Sequence, residues 1–226
     1  MAVVVSIDAG TTGVRTMAVG PAGQVVASFY SEFPQHFPRP GWVEHDPEDI
    51  WAAVESTFAR LLARLDEPVA AIGITNQRET VVLWDRRDGR PLHRAVVWQD
   101  RRSAAICESL TAAGHLDLVR SRTGLVLDPY FSATKLAWLF TEGGVQVTPD
   151  TAFGTVDSWI LWRLTGGRVH LTDPTNASRT LLFDIGRLRW DDDLAGLFAV
   201  PSGILPEVGP SSGRLGTTAS GVVAGL

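Results

Sequence analysis

Asp8, Thr11, Thr12 and Arg15 crowd around Gly10 and Gly13 in the stretch VVVSIDAGTTGVRTMAVG, residues 3–20. An ordinary hairpin needs only a Gly or an Asn at its tip. Two small hydroxyl residues between two glycines offer backbone N–H and O–H donors with little side-chain obstruction, which suits a phosphate. The flanking residues add a carboxylate able to hold a cation, and a guanidinium. The competing reading is a polar hairpin with incidental charges.

Three further stretches place polar residues where an apolar run stops. GITNQRET, residues 73–80, carries Arg78 and Glu79. They are either a surface ion pair or a donor fork beside an acceptor, the combination a small polyol needs for its hydroxyls. VVWQDRR, residues 96–102, ends a strand at Trp98, which is either a core tryptophan or an apolar wall beside a polar site. LDPYFS, residues 127–132, is a turn that carries Tyr130 just ahead of a helix. Other templates are absent. His36, His45, His93, His115 and His170 have no zinc-ligand spacing. There is no Gly-x-Ser-x-Gly and no Walker-type Gly-x-x-x-x-Gly-Lys, and the sole lysine is Lys135.

Positioning these residues requires strands that end together. Val3–Ile7, Arg15–Val19 and Gln24–Tyr30 read as three consecutive strands, joined at residues 10–13 and 20–23. Asp46 can cap a helix, Pro47 suits its first position, and Glu48 and Asp49 favour the positive end of its dipole. Ile50, Val54, Phe58, Leu61, Leu62 and Leu65 then share one face at helical spacing. Val69–Thr75, Thr80–Trp84 and Ala95–Trp98 read as strands, with a turn at Asp88-Gly89. Ser103–Leu110, Ala133–Phe140 and Asp157–Leu164 read as helices, the last stopped by Gly166-Gly167. This order predicts an α/β domain whose first strands are antiparallel, and in open α/β sheets ligands sit outside the carboxyl ends of strands. The tail from Pro201 is rich in Gly, Ser, Thr and Pro and ends in GVVAGL, the beginning of a strand, so the chain is expected to be cut.

The chain has 226 residues, 45% of them hydrophobic and 20% charged, enough to bury a sizeable core in one large domain or two small ones. The formal net charge of −5 and the absence of any basic cluster longer than Arg101–Arg102 argue against nucleic acid. A single cysteine, Cys107, rules out an internal disulfide and makes a cytoplasmic home the default. Residues 1–8 lack a signal peptide's basic start, and no apolar run is long enough to span a bilayer. Most of the eight tryptophans are expected in the core.

Taken together, the pieces resemble the FGGY family of carbohydrate kinases. The matching segments are IDAGTTGVR (7–15), GWVEHDP (41–47), GITNQRET (73–80), VWQDRR (97–102), TGLVLDPYFSATK (123–135), FGTVDSWILWRLTGGRVHLTD (153–173) and TNASRTLLF (175–183). They run in family order over nearly the whole chain. The resemblance implies an α/β, actin-like ATPase or ribonuclease-H-like domain with a mixed sheet and flanking helices. It also implies ATP-dependent phosphorylation of glycerol to glycerol 3-phosphate, with ATP and Mg²⁺ as cofactors. Thr11, Thr12 and Gly13 would contact nucleotide phosphate, Arg15 would neutralise its charge, and Asp8 would hold Mg²⁺ through water. Arg78 and Glu79 would hydrogen-bond glycerol hydroxyls, Trp98 would pack on its carbon backbone, and Tyr130 would make one further hydrogen bond.

Pentulose kinases of the family are Gln-Met-rich where this chain has Asn76-Gln77-Arg78-Glu79, which favours glycerol. The chain departs from the pattern at Ala9, where Gln is common, and at Gly13-Val14, where a Ser-Ser pair is usual. The family's catalytic base, an aspartate in an Asp-Gln pair, would lie beyond residue 226. Residues 1–226 would then form the N-terminal, glycerol-binding domain, partnered by the enzyme's own C-terminal nucleotide domain, with homo-oligomerisation left open. The competing functions are an FGGY kinase for another small polyol, such as erythritol, and a non-catalytic actin-like ATPase half.

Overall fold

In Val3–Ala9 (β1) the side chains of Val3, Val5, Ile7 and Ala9 are buried while Val4 and Asp8 are exposed, the period-2 pattern of a strand covered on one face. The computed structural model describes residues 2–223. β1 pairs antiparallel with Gly13–Val19 (β2), which pairs antiparallel with Val25–Glu32 (β3). After two residues at Glu44–His45 (β4) and the helix Pro47–Leu62 (α1), the strand Val69–Asn76 (β5) returns parallel to β1. The sheet order is β3-β2-β1-β5. A parallel return needs a crossover, and α1 supplies it.

The sequence dictates where α1 begins. Asp46 accepts a hydrogen bond from the Glu48 backbone N–H at 2.9 Å, and Pro47 takes the first turn. Ile50, Val54, Phe58 and Leu61 are fully buried against the sheet. Leu65 lies past the helix end and still packs on this core.

A second layer is built on the ribbon of Val82–Asp85 (β6) and Thr151–Gly154 (β8), which pair antiparallel. Because successive side chains point to opposite faces, Val82, Trp84 and Ala152 join the core under the main sheet. Leu83 and Phe153 join a second core instead. Trp84 packs edge-on against Trp159 at 5.4 Å, and Trp159 stacks on Trp162 at 5.9 Å. Those two belong to Val156–Leu164 (α5). The second core is covered by Ala104–Ala112 (α2), Leu116–Thr123 (α3) and Ser132–Thr141 (α4). Among the described residues, no helix is long and apolar enough to cross a membrane.

Several boundaries differ from expectation. The strands expected at Thr80–Trp84 and Ala95–Trp98 are Val82–Asp85 and Ala95–Val96 (β7). The reason is a side chain: the Trp98 backbone N–H donates to Thr80 Oγ1 at 3.3 Å, so the chain leaves the ladder there. Helix α3 was not expected, since Asp117, Arg120 and Arg122 break up its apolar pattern. The expected turn at Asp88-Gly89 is present, with Gly89 at φ +76°. The strand start expected in residues 221–226 lies partly outside the described residues, and Val222–Val223 is not strand.

Candidate functional site

Parallel pairing puts the carboxyl ends of β1 and β5 side by side, with Asp8 opposite Thr75 and Ala9 opposite Asn76. The Gln77 N–H donates to the Ala9 carbonyl at 2.9 Å, and the Gly10 N–H closes the hairpin tip on the Gly13 carbonyl at 3.0 Å. Above this edge lies an open cleft of about 280 Å³, lined by Asp8, Thr11, Arg78, Glu79, Trp98 and Tyr130 among others. Residues spread over more than 120 positions of sequence thus face one space.

Each wall is held from behind. Trp98 is half-buried, donates its indole N–H to Thr11 Oγ1 at 2.9 Å and meets the Tyr130 ring edge-to-face at 5.4 Å. The Trp98 contact leaves the Thr11 hydroxyl proton free to point at a ligand. Tyr130 sits on a turn tied by its own N–H to Asp128 Oδ1 at 2.8 Å. Arg78 is exposed and makes no salt bridge among the described residues, so the surface ion pair with Glu79 does not form. Glu79 is buried and accepts from Arg179 Nε at 2.7 Å.

Two of the basic residues behind these walls were missed. Arg179 lies in the matched segment TNASRTLLF, and Lys135 was legible only as the sole lysine. The Lys135 amine is fully buried and donates to the carbonyls of Pro129, Tyr130 and Phe131 at 2.6, 2.6 and 3.0 Å. Three carbonyls match the three N–H bonds of an ammonium. Burial pushes the amine down to about 7, opposed by the attraction of Asp100 and Glu79. The clamp fixes the turn that presents Tyr130.

Thr12, Gly13 and Arg15 do not line the cleft. Thr12 Oγ1 lies 3.2 Å from the Tyr30 hydroxyl, and Arg15 rests its guanidinium over the Tyr30 ring at 5.4 Å. A Cβ at Gly13 would come within 2.5 Å of the Ser31 carbonyl oxygen and 2.6 Å of that hydroxyl, which accounts for the glycine by close packing. Arg15 stands opposite Asp8 across β1 and β2, on the open face of the sheet.

His45 braces the hairpin tip. Gln77 Nε2 donates to the Gly10 carbonyl and to His45 Nδ1, each at 3.2 Å, while Gln77 Oε1 accepts from Thr80 at 2.8 Å. This pattern needs a neutral His45 with its proton on Nε2. Burial first, and the charge of His36 second, lower the His45 pKa from 6.5 to about 4. Below pH 6.5 the unfolded chain takes up this proton before the folded one does, so stability falls with pH until about 4 and then levels off. Urea titrations are expected to show a loss on the order of 2 kcal/mol from this group between pH 7 and pH 5. A His45→Gln protein is expected to lack that part of the slope; an unchanged slope would mean that folding does not shift the His45 pKa.

The cleft offers hydroxyl and backbone donors at the tip, a carboxylate at Asp8, and a mixed polar and aromatic wall. Among the described residues no three acidic, histidine or cysteine side chains gather to hold a metal. Asp8 alone still fits Mg²⁺, which keeps several waters and takes its other ligands from substrate phosphates.

Comparison with known proteins places this geometry in context. The model of the FGGY family of carbohydrate kinases, N-terminal domain, matches residues 3–226. A glycerol kinase of Methylobacterium nodulans is 55% identical over 222 residues, covering 95% of this chain and 44% of that protein. One of Dechloromonas aromatica is 52% identical over 225 residues, covering 96% of this chain and 45% of that protein. The crystal structure of Plasmodium falciparum glycerol kinase with ADP superposes with a TM-score of 0.91 at 33% identity, covering 99% of this chain and 46% of that one. This chain therefore spans less than half the length of these relatives.

Proposed function

The chain belongs to the FGGY family of carbohydrate kinases, and from that membership we propose that residues 1–226 are the glycerol-binding N-terminal domain of an enzyme that phosphorylates glycerol at the expense of ATP. One observation carries this reading: the phosphate-suited tip and the polyol-suited wall share a single cleft, joined by the Trp98–Thr11 hydrogen bond. The actin-like fold accounts for the tip, since its first hairpin would face the terminal phosphates of ATP. Mg²⁺ beside Asp8 would neutralise charge on those phosphates. A second domain would supply the adenine pocket and the general base, and its closure would exclude water. A cytoplasmic setting accords with the single buried cysteine.

Phosphoryl transfer needs positioning and charge neutralisation more than covalent help. In this reading Arg78 donates to one glycerol hydroxyl and Glu79 accepts from another. Trp98 covers the carbon chain, and Tyr130 supplies one further hydrogen bond. A non-catalytic actin-like half would have no use for this wall.

Calorimetry on the full-length protein with glycerol, erythritol and xylulose tests the substrate. Tightest binding of glycerol is expected, and preference for erythritol or xylulose would replace it. Arg78→Ala in the full-length enzyme is expected to lower kcat/KM for glycerol roughly ten- to a hundredfold, since a hydrogen bond to a charged partner is worth about 1.5–3 kcal/mol. Unchanged glycerol kinetics would remove Arg78 from the site.

A further inference from the structure

We propose that Arg179 is a positioning residue that sets the orientation of Glu79 and Tyr130 toward the polyol, and so governs how tightly the substrate's hydroxyls are held. This rests on the reading of the cleft as a polyol site. Glu79 is 2% exposed, and a buried carboxylate needs a partner. Its Oε1 accepts from Arg179 Nε at 2.7 Å, which leaves Oε2 with no partner among the described residues. Glu79 lines the cleft, so that second oxygen is the acceptor available to a hydroxyl. Were Arg179 absent, both oxygens would compete for the ligand and the carboxylate would be free to rotate.

The same guanidinium lies over the rings of Phe131 at 5.0 Å and Tyr130 at 5.8 Å. One planar cation therefore touches both the acceptor of the polyol wall and its phenol. Arginine suits this task because its fork bonds a carboxylate in the plane while its face stacks on aromatic rings.

The turn bearing Arg179 is itself docked. It follows the short helix Pro174–Ala177, whose Asp173 cap accepts from the Asn176 N–H at 2.9 Å. Asn76 at the end of β5 donates to Asn176 Oδ1 at 3.0 Å, and the Ala133 N–H at the start of α4 donates to the Thr180 carbonyl at 2.8 Å. Ser132 Oγ in turn donates to the Glu79 carbonyl at 3.0 Å. Arg179 is thus held relative to the same two segments that carry Glu79 and Tyr130, as a support for a binding side chain must be.

The test uses the full-length enzyme with Arg179→Met, Arg179→Lys, Glu79→Gln and the double variant Arg179→Met with Glu79→Gln. Arg179→Met is expected to raise the polyol KM roughly ten- to a hundredfold, with little change in the KM for ATP. Arg179→Lys, which keeps the charge but not the planar fork, is expected to recover part of that loss. In the Glu79→Gln background, Arg179→Met is expected to cost only a few-fold more, because the two side chains act as one unit. Full multiplication of the two losses, or an equal rise in the KM for ATP, would make Arg179 a general support of the fold and overturn the proposal. The cycle is run on whichever polyol the parent enzyme turns over best. A parent that prefers erythritol to glycerol thus corrects the substrate while the cycle still decides the role of Arg179. A parent inactive on every polyol overturns both.

Discussion

Asp8→Asn in the full-length enzyme is expected to lower kcat on the order of 10²–10³-fold while leaving glycerol affinity nearly unchanged. The substitution keeps the shape of the side chain and removes its charge. Asp8 is the next-to-last residue of β1 beside the hairpin tip, exposed and without an ion pair among the described residues, so no fold-stabilising ion pair is lost. A charged group aimed at a site of charge development is worth about 10²–10³ in rate when removed. In the proposed reading that group orients Mg²⁺ on the phosphates, and the polyol wall of Arg78, Glu79, Trp98 and Tyr130 stays intact. Steady-state kcat and calorimetric glycerol affinity on the same protein separate the two ends of the cleft. Equal damage to both would make Asp8 a structural residue.

Residues 1–226 expressed alone are expected to show no glycerol-dependent ATP turnover above background. The chain covers 44–46% of the three relatives named above, and the proposed reading puts the catalytic base and the adenine pocket in the remainder. Loss of a general base alone costs about 10²–10⁴ in rate. Half of the phosphate clamp would go with it, since ATP is expected to sit between the two domains. Glycerol binding should weaken as well, because the cleft of about 280 Å³ is open among the described residues. A coupled ADP-release assay on this segment, run beside the full-length enzyme, decides the matter. Turnover within about a hundredfold of full length would place the base inside these residues, and the division of labour proposed here would fail.

Local signals account for much of what was legible. The cap, proline and acidic turn at residues 46–49 specify the start of α1 without help from the rest of the chain. The β-branched run ending at Asp8 specifies β1 in the same way. Where the signal was weak, the outcome depended on partners far away. The segments around Thr80 and Trp98 look like strand, but a hydroxyl–backbone bond between them ends the pairing early. Thr12, Gly13 and Arg15 belong to the hairpin as expected, yet each meets Tyr30, from a third strand, and none of them lines the cleft.

By itself, the sequence determined which residue types would serve a phosphate and a polyol, and which apolar runs would carry them. Binary patterning and capping act over a few residues and can be read directly. Only the tertiary structure decided that Glu79 would pair with Arg179 rather than with its neighbour Arg78. Only it decided that the lone lysine would clamp the Tyr130 turn, and that Trp98 would bridge to Thr11. A charged or hydrogen-bonding side chain takes whichever partner the packed backbone brings within about 3 Å. Which partner that is depends on the parallel return of β5 beside β1 and on the docking of residues 173–180 against α4, and no short stretch of sequence encodes either.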